Sequence, residues 1–167
     1  TLPSRGLGDV YKRQFINSLH HRKYRREHNL FVAEGIRICR EAVENGWEIR
    51  YLLYDNLNAD VQKIENLISD VLSLGADVIG VTSEILSKIS HKENPQNVLC
   101  VIDQKWSNLP TIIKDKTFVA LETVRDPGNL GTILRTMDGV GATDCILLGN
   151  CTDPFSYESV RASMGAI

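Results

Sequence analysis

The chain has 167 residues, 43% apolar and 24% charged, and 19 Lys and Arg against 21 Asp and Glu give a net charge of −2. That length allows one ordinary domain or two small ones. The composition excludes a disordered chain, and no apolar run approaches the roughly 20 residues of a membrane-spanning helix.

No secretory signal pattern is visible, and the four cysteines, Cys39, Cys100, Cys145 and Cys151, contain no CxxC pair. Reduced structural thiols in a cytoplasmic protein are expected, with neither disulfide nor metal framework. The first fourteen residues, TLPSRGLGDVYKRQ, begin without Met and show no helical or strand period. A non-native tail is therefore expected over 1–14.

From Phe15, short apolar runs alternate with helical stretches. FINSLHHRKYRREH predicts one helix with a basic end, and LFVAEG (30–35) a strand. IRICREAVENG predicts a helix with Ile36, Cys39, Ala42 and Val43 on one face and Gly46 as its stop. IRYLLYD (49–55) is a second strand. The helix after it carries Val61, Ile64, Leu67, Ile68 and Val71 as its stripe and ends at Gly75. DVIGVT is a third strand, after which Thr82 or Ser83 caps a short helix. HKENPQ reads as a turn and NVLCVID (97–103) as a fourth strand. This alternation predicts an α/β domain over 15–104.

Residues 105–116 break the pattern with mixed polarity and Pro110, and read as a linker. TFVALETV (117–124) opens a second α/β unit, whose crossover to CILLG (145–149) has βαβ size. A last helix is expected from Asp153 as cap, with Pro154 in its first position. Two strands within 117–167 cannot cover both faces of a parallel sheet. This unit is therefore expected to be incomplete and to continue past Ile167.

The crossover contains DPGNLGTILRTMDGVGA, residues 126–142. Its glycines are not spaced as G-x-G-x-x-G directly after the strand, and no acidic residue ends the second strand, which excludes a dinucleotide fingerprint. Leu130, Ile133, Leu134 and Met137 fall at i, i+3, i+4 and i+7 and form a buried stripe. Asn129 suits an N-cap, Gly139 a helix stop and Gly141 a turn. Arg135 lies off the stripe. The stretch RDPGN would place Asn129 and a helix N-terminus at the carboxyl edge of a strand, where open α/β sheets hold ligands.

With VRASMGA (160–166) downstream, this run resembles the first two motifs of the SpoU-type (TrmH-like) RNA ribose methyltransferases of the SPOUT superfamily. Those motifs are D-P-x-N-x-G-x-[IL]-x-R-[ST]-x-x-x-x-G and R-x-S-x-G-A. HNLFVAEGIRICREAVENG and NPQNVLCVID are similar to the opening and closing segments of the family's ribosomal-protein-like substrate-binding domain. The resemblance implies an α/β substrate-binding domain followed by the first half of a trefoil-knot methyltransferase domain. It implies methyl transfer from S-adenosylmethionine to a ribose 2′-hydroxyl of RNA, in large-subunit rRNA before tRNA, by a homodimer. It also implies that Arg135 is catalytic with Asn129 in support, and that Arg161, Ser163 and Gly165 belong to the RNA-facing motif. A guanidinium stays protonated in proteins, so Arg135 is expected to grip phosphate and stabilise a developing oxyanion. The family's third motif, with most of the cofactor pocket, is absent before Ile167, so this stretch is expected neither to bind the cofactor nor to turn over.

Charge is uneven: residues 1–50 hold ten Lys and Arg against six acids, and 51–167 hold nine against fifteen. In HHRKYRREH (20–28), Arg22, Lys23, Arg25 and Arg26 surround Tyr24, a set suited to phosphates and a stacked base. His20, His21 and His28 are expected to face solvent or phosphate. A non-catalytic RNA-binding module is the competing reading, although it has no need of the Asn129/Arg135 pair.

Overall fold

The computed structural model describes residues 7–108 and 117–167. The first unit runs α1 (Leu7–Ser18), α2 (Arg22–His28), β1 (Leu30–Glu34), α3 (Ile36–Glu44), β2 (Ile49–Asp55), α4 (Val61–Ser73), β3 (Asp77–Val81), α5 (Ser83–Ser90) and β4 (Val98–Asp103). Its sheet has the order β1-β4-β2-β3, with β2 and β3 parallel and β4 antiparallel to both of its neighbours. Central β4 reads as a continuous apolar run because both of its faces are covered: Val98 to Ile102 are all buried. One layer of core joins Phe31, Cys39, Leu52, Ile64, Leu67, Val71 and Cys100 beneath α3 and α4. The other joins Ile16, Leu19, Val32, Leu53, Leu86, Ile89 and Val101 beneath α1 and α5.

Two expectations for the amino-terminal region change. The predicted single helix over 15–28 is two helices, because the chain turns at Leu19–His21 and buries Leu19. Helix α1 also begins at Leu7, inside the stretch read as aperiodic, and Lys12 pairs with Asp77 of β3 at 2.7 Å. Helices α3 and α4 end as expected, with Gly46 and Gly75 at φ +64° and +82°.

The second unit contains β5 (Phe118–Glu122), α6 (Pro127–Gly139), β6 (Asp144–Leu148) and α7 (Tyr157–Ser163), with β5 and β6 paired in parallel from Phe118–Asp144 to Glu122–Leu148. Both strands remain half-buried or exposed along their length, unlike β4. Of the expected linker, residues 109–116 lie outside the described residues. Its first residues dock on the first unit: Lys105 donates to the Gly46 carbonyl at 2.9 Å and lies over the Trp47 ring. The two units share a core, since Phe155 and Val160 are buried in the first unit's apolar layer, with Phe155 4.8 Å from the Phe31 ring.

Candidate active site

Helix α6 starts one turn earlier than the cap assignment to Asn129 implies. Asp126 is the N-cap: its carboxylate accepts the Asn129 amide at 2.7 Å, and Pro127 takes the first helical position. Asn129 therefore sits in the first turn with its side chain exposed, and Pro127 and Gly128 are helical rather than a separate turn. Of the predicted stripe, Leu130 and Met137 are buried and Ile133 and Leu134 half-buried. Arg135 is exposed, and its guanidinium has no hydrogen bond or ion pair among the described residues, Asp138 included. A guanidinium without an internal partner is available to an external anion.

Gly131 explains how the two motifs meet. It is buried where α6 crosses α7, and a Cβ there would stand 2.5 Å from the Ala162 Cβ, 2.6 Å from the Ser159 carbonyl and 2.8 Å from the Ser163 amide. Only glycine lets the helix backbones approach so closely. The close crossing also disposes of one expectation. Ser163 is fully buried, and its hydroxyl donates to the Val160 carbonyl at 2.8 Å, so it faces the protein and not an RNA. Arg161 is exposed on the same helix. Helix α7 is capped by Ser156, whose hydroxyl accepts the Ser159 amide, and not by Asp153. Gly165, in the second motif, adopts φ +100°, and a Cβ there would run into the Glu41 carboxylate.

The basic stretch divides. Arg22, Lys23 and Arg26 are exposed on α2 beside Tyr24, which is 37% exposed, and Lys23 lies over the Tyr24 ring. Arg25 is a correction to the sequence reading: it is 4% exposed and its guanidinium is consumed internally. His20 also turns inward, where its Nε2 meets the Ile89 carbonyl and its ring stacks on His91 at 3.9 Å. Burial lowers its pKa from the usual imidazole range, and the Ile89 hydrogen bond opposes that shift. His21 and His28 are exposed.

One feature at the carboxyl edge of the small sheet has no local pattern to announce it. Thr123 follows β5 with φ +55°, a conformation that β-branched residues avoid. Its amide donates to the Leu148 carbonyl, and the Thr152 amide donates to the Val124 carbonyl at 2.7 Å. The loops after β5 and β6 are thereby tied together, with Gly149 at φ +63° against the Thr123 hydroxyl. Backbone strain of this kind clusters at functional sites, and the only sequence cue was the position of Thr123 just before RDPGN.

Residues 116–167 match the SpoU rRNA Methylase family, and residues 13–100, a little over half the chain, match the MRM3-like substrate binding domain. The chain belongs to the SpoU rRNA methylase family. This SpoU chain is 31% identical over 140 residues to the 23S rRNA (uridine(2479)-2′-O)-methyltransferase of Streptomyces viridochromogenes, covering 82% of this chain and 48% of that protein. It is 30% identical over 149 residues to the 23S rRNA (guanosine(2553)-2′-O)-methyltransferase RlmP of Bacillus subtilis (strain 168), covering 89% and 55%. Among solved structures, the AdoMet-bound rRNA methyltransferase of Sinorhizobium meliloti superposes with a TM-score of 0.86 at 38% identity, covering 98% of this chain and 60% of that one. The SpoU chain thus spans about half the length of the curated relatives it matches, and its mixed α/β architecture is that of SPOUT methyltransferase structures.

Proposed function

We propose that this SpoU chain takes part in methyl transfer from S-adenosylmethionine to a ribose 2′-hydroxyl of RNA, most specifically of large-subunit rRNA. The observation carrying the proposal is the α6–α7 crossing at Gly131, which joins the two motifs and leaves Asn129, Arg135 and Arg161 exposed. Arg135 would hold the phosphate beside the target ribose and stabilise negative charge developing on the 2′-oxygen, with Asn129 positioning the sugar. Arg22, Lys23, Tyr24, Arg26 and Arg161 would hold the RNA backbone and an unpaired base. A non-catalytic RNA-binding module has no need of the Asn129 and Arg135 pair together with the VRASMGA motif.

The group being transferred comes from S-adenosylmethionine, which supplies an activated methyl when bound. The described residues do not fit it by themselves. Their buried side-chain atoms lacking partners are Arg13 Nε, Ser90 Oγ and the Tyr157 hydroxyl, which belong to α1, α5 and the start of α7, with none at the carboxyl edge of β5 and β6. A homodimer with sites formed between copies suits the exposed Val140, Leu148 and Met164 of the second unit. A cytoplasmic location suits four free thiols.

The test is a chimera in which this chain replaces the matching portion of the Bacillus subtilis relative. With methyl-labelled S-adenosylmethionine and large-subunit rRNA, label is expected in alkali-resistant dinucleotides, the signature of 2′-O-methylation. Arg135→Ala is expected to lower turnover on the order of a hundredfold or more. Label in the bases, or an Arg135→Ala chimera as active as its parent, would refute the reading.

A further inference from the structure

Arg25 and Asp153 are 128 positions apart, yet they meet as a buried ion pair between the two units. Arg25 Nε donates to Asp153 Oδ2 at 2.9 Å, and its second arm lies 2.8 Å from the same oxygen. The remaining arm donates to the carbonyls of Leu19 at 2.9 Å and His20 at 2.7 Å, so the turn between α1 and α2 closes on the same guanidinium. Asp153 Oδ1 accepts the Phe155 amide at 3.0 Å, and the Asp153 carbonyl accepts the amide of Ser156, the cap of α7. Gln104, at the end of β4, donates to the Arg25 carbonyl. Each guanidinium nitrogen and each carboxylate oxygen of the pair has a partner.

A buried ion pair adds little stability over an apolar pair of the same volume, because both charges lose water. What it adds is orientation, since a planar fork accepts a carboxylate in few geometries. Here the fork sits in α2 between the exposed Lys23, Tyr24 and Arg26, and the carboxylate sits three residues before the cap of α7. Helix α7 in turn is locked on α6 at Gly131. A continuous chain of contacts thus runs from the basic helix to Arg135 without passing through residues 109–116.

We propose that Arg25 and Asp153 are positioning residues that fix α2 and its exposed cations relative to the α6–α7 face, so that both contact one RNA. The proposal rests on the RNA methyl-transfer reading.

The test uses the 167-residue chain with Arg25→Met and Asp153→Leu together, and separately Arg25→Lys, which keeps the charge and loses the fork. Spin labels at Glu27→Cys and Thr136→Cys, on a Cys145→Ser background, report the distance distribution between α2 and α6. Fluorescence anisotropy reports affinity for a labelled RNA stem-loop. The double variant is expected to unfold cooperatively, with a broadened distance distribution and RNA affinity down about tenfold as two joined contacts become independent. Arg25→Lys is expected to fall between it and the parent, and it carries the test should the double variant not fold. An unchanged distribution overturns the proposal, as does a broadened one with unchanged RNA affinity. If Arg22→Glu with Arg26→Glu leaves RNA affinity and its salt dependence unaltered, the RNA reading itself fails, whatever the distances show.

Discussion

Gly131 and Gly139 lie on the same helix and make opposite demands. A methyl group at Gly139 meets open space, whereas one at Gly131 meets the backbone of α7 closer than 3 Å. Helix propensity favours alanine over glycine by about 1 kcal/mol, and at Gly131 overpacking opposes this gain by about 1–3 kcal/mol or more, because backbone yields less readily than a side chain. Gly131→Ala is expected to lower the melting temperature, by about 2–4 °C for each kcal/mol of net loss at this chain size. Gly139→Ala is expected to leave it unchanged or raise it. A Gly131→Ala protein that melts no lower than the parent would show that the helices can part without penalty. Gly139 was legible in the sequence as a helix stop, and α6 does end there, but the role of Gly131 was not. The clash partner of Gly131 lies some thirty residues downstream and leaves no mark on local periodicity.

At the scale of elements, the turn from β2 to α4 hangs on Asp55, which is buried at the carboxyl end of its strand. Burial alone would raise its pKa, but hydrogen bonds from the Ser83 hydroxyl, the Asn58 side chain and the Leu57 and Asn58 amides outweigh burial and hold it at about 2. A carboxylate with a lowered folded-state pKa stabilises the fold above its unfolded value and loses that contribution as pH falls through the folded one. The contribution should be complete above about pH 4 and vanish toward about pH 2. Chemical unfolding of the parent and Asp55→Asn across that range is expected to show a stability gap at neutral pH that closes on acidification. A gap independent of pH would assign the effect to shape rather than charge.

Elements were also what the sequence conveyed best. The six strands among the described residues fall where apolar runs lie between turn residues, and α3, α4 and α6 follow their 3.6-residue stripes. Helix starts were less legible because adjacent residues compete for the cap. Asp126 and Asn129 both suit that role, and Pro127 in the first position selects Asp126. Asp153 suits it too, but it is drawn inward by Arg25, which leaves the cap to Ser156. Asn129, Arg135 and Arg161 are exposed, whereas Arg25, His20 and Ser163 turn inward, since each answers to a tertiary partner that sequence spacing cannot reveal.

For the whole molecule, cofactor binding by these residues can be measured directly. Isothermal titration of the 167-residue chain with S-adenosylmethionine is expected to give no binding in the micromolar range. A micromolar dissociation constant would instead locate the pocket among these residues, with the tied loops after β5 and β6, around Thr123 and Gly149, as the first place to look.

Phe155 and Val160 belong by sequence to the methylase segment and by packing to the interior of the substrate-binding unit, against Phe31. Inheritance of the two matched regions is therefore constrained. A substrate-binding unit moved onto a different methylase would arrive with a hole beside Phe31 and an unanswered charge at Arg25. If the exposed cations of α2 hold the RNA as proposed, exchange of RNA specificity should proceed by change on the outer surface of α2 rather than by swapping whole units.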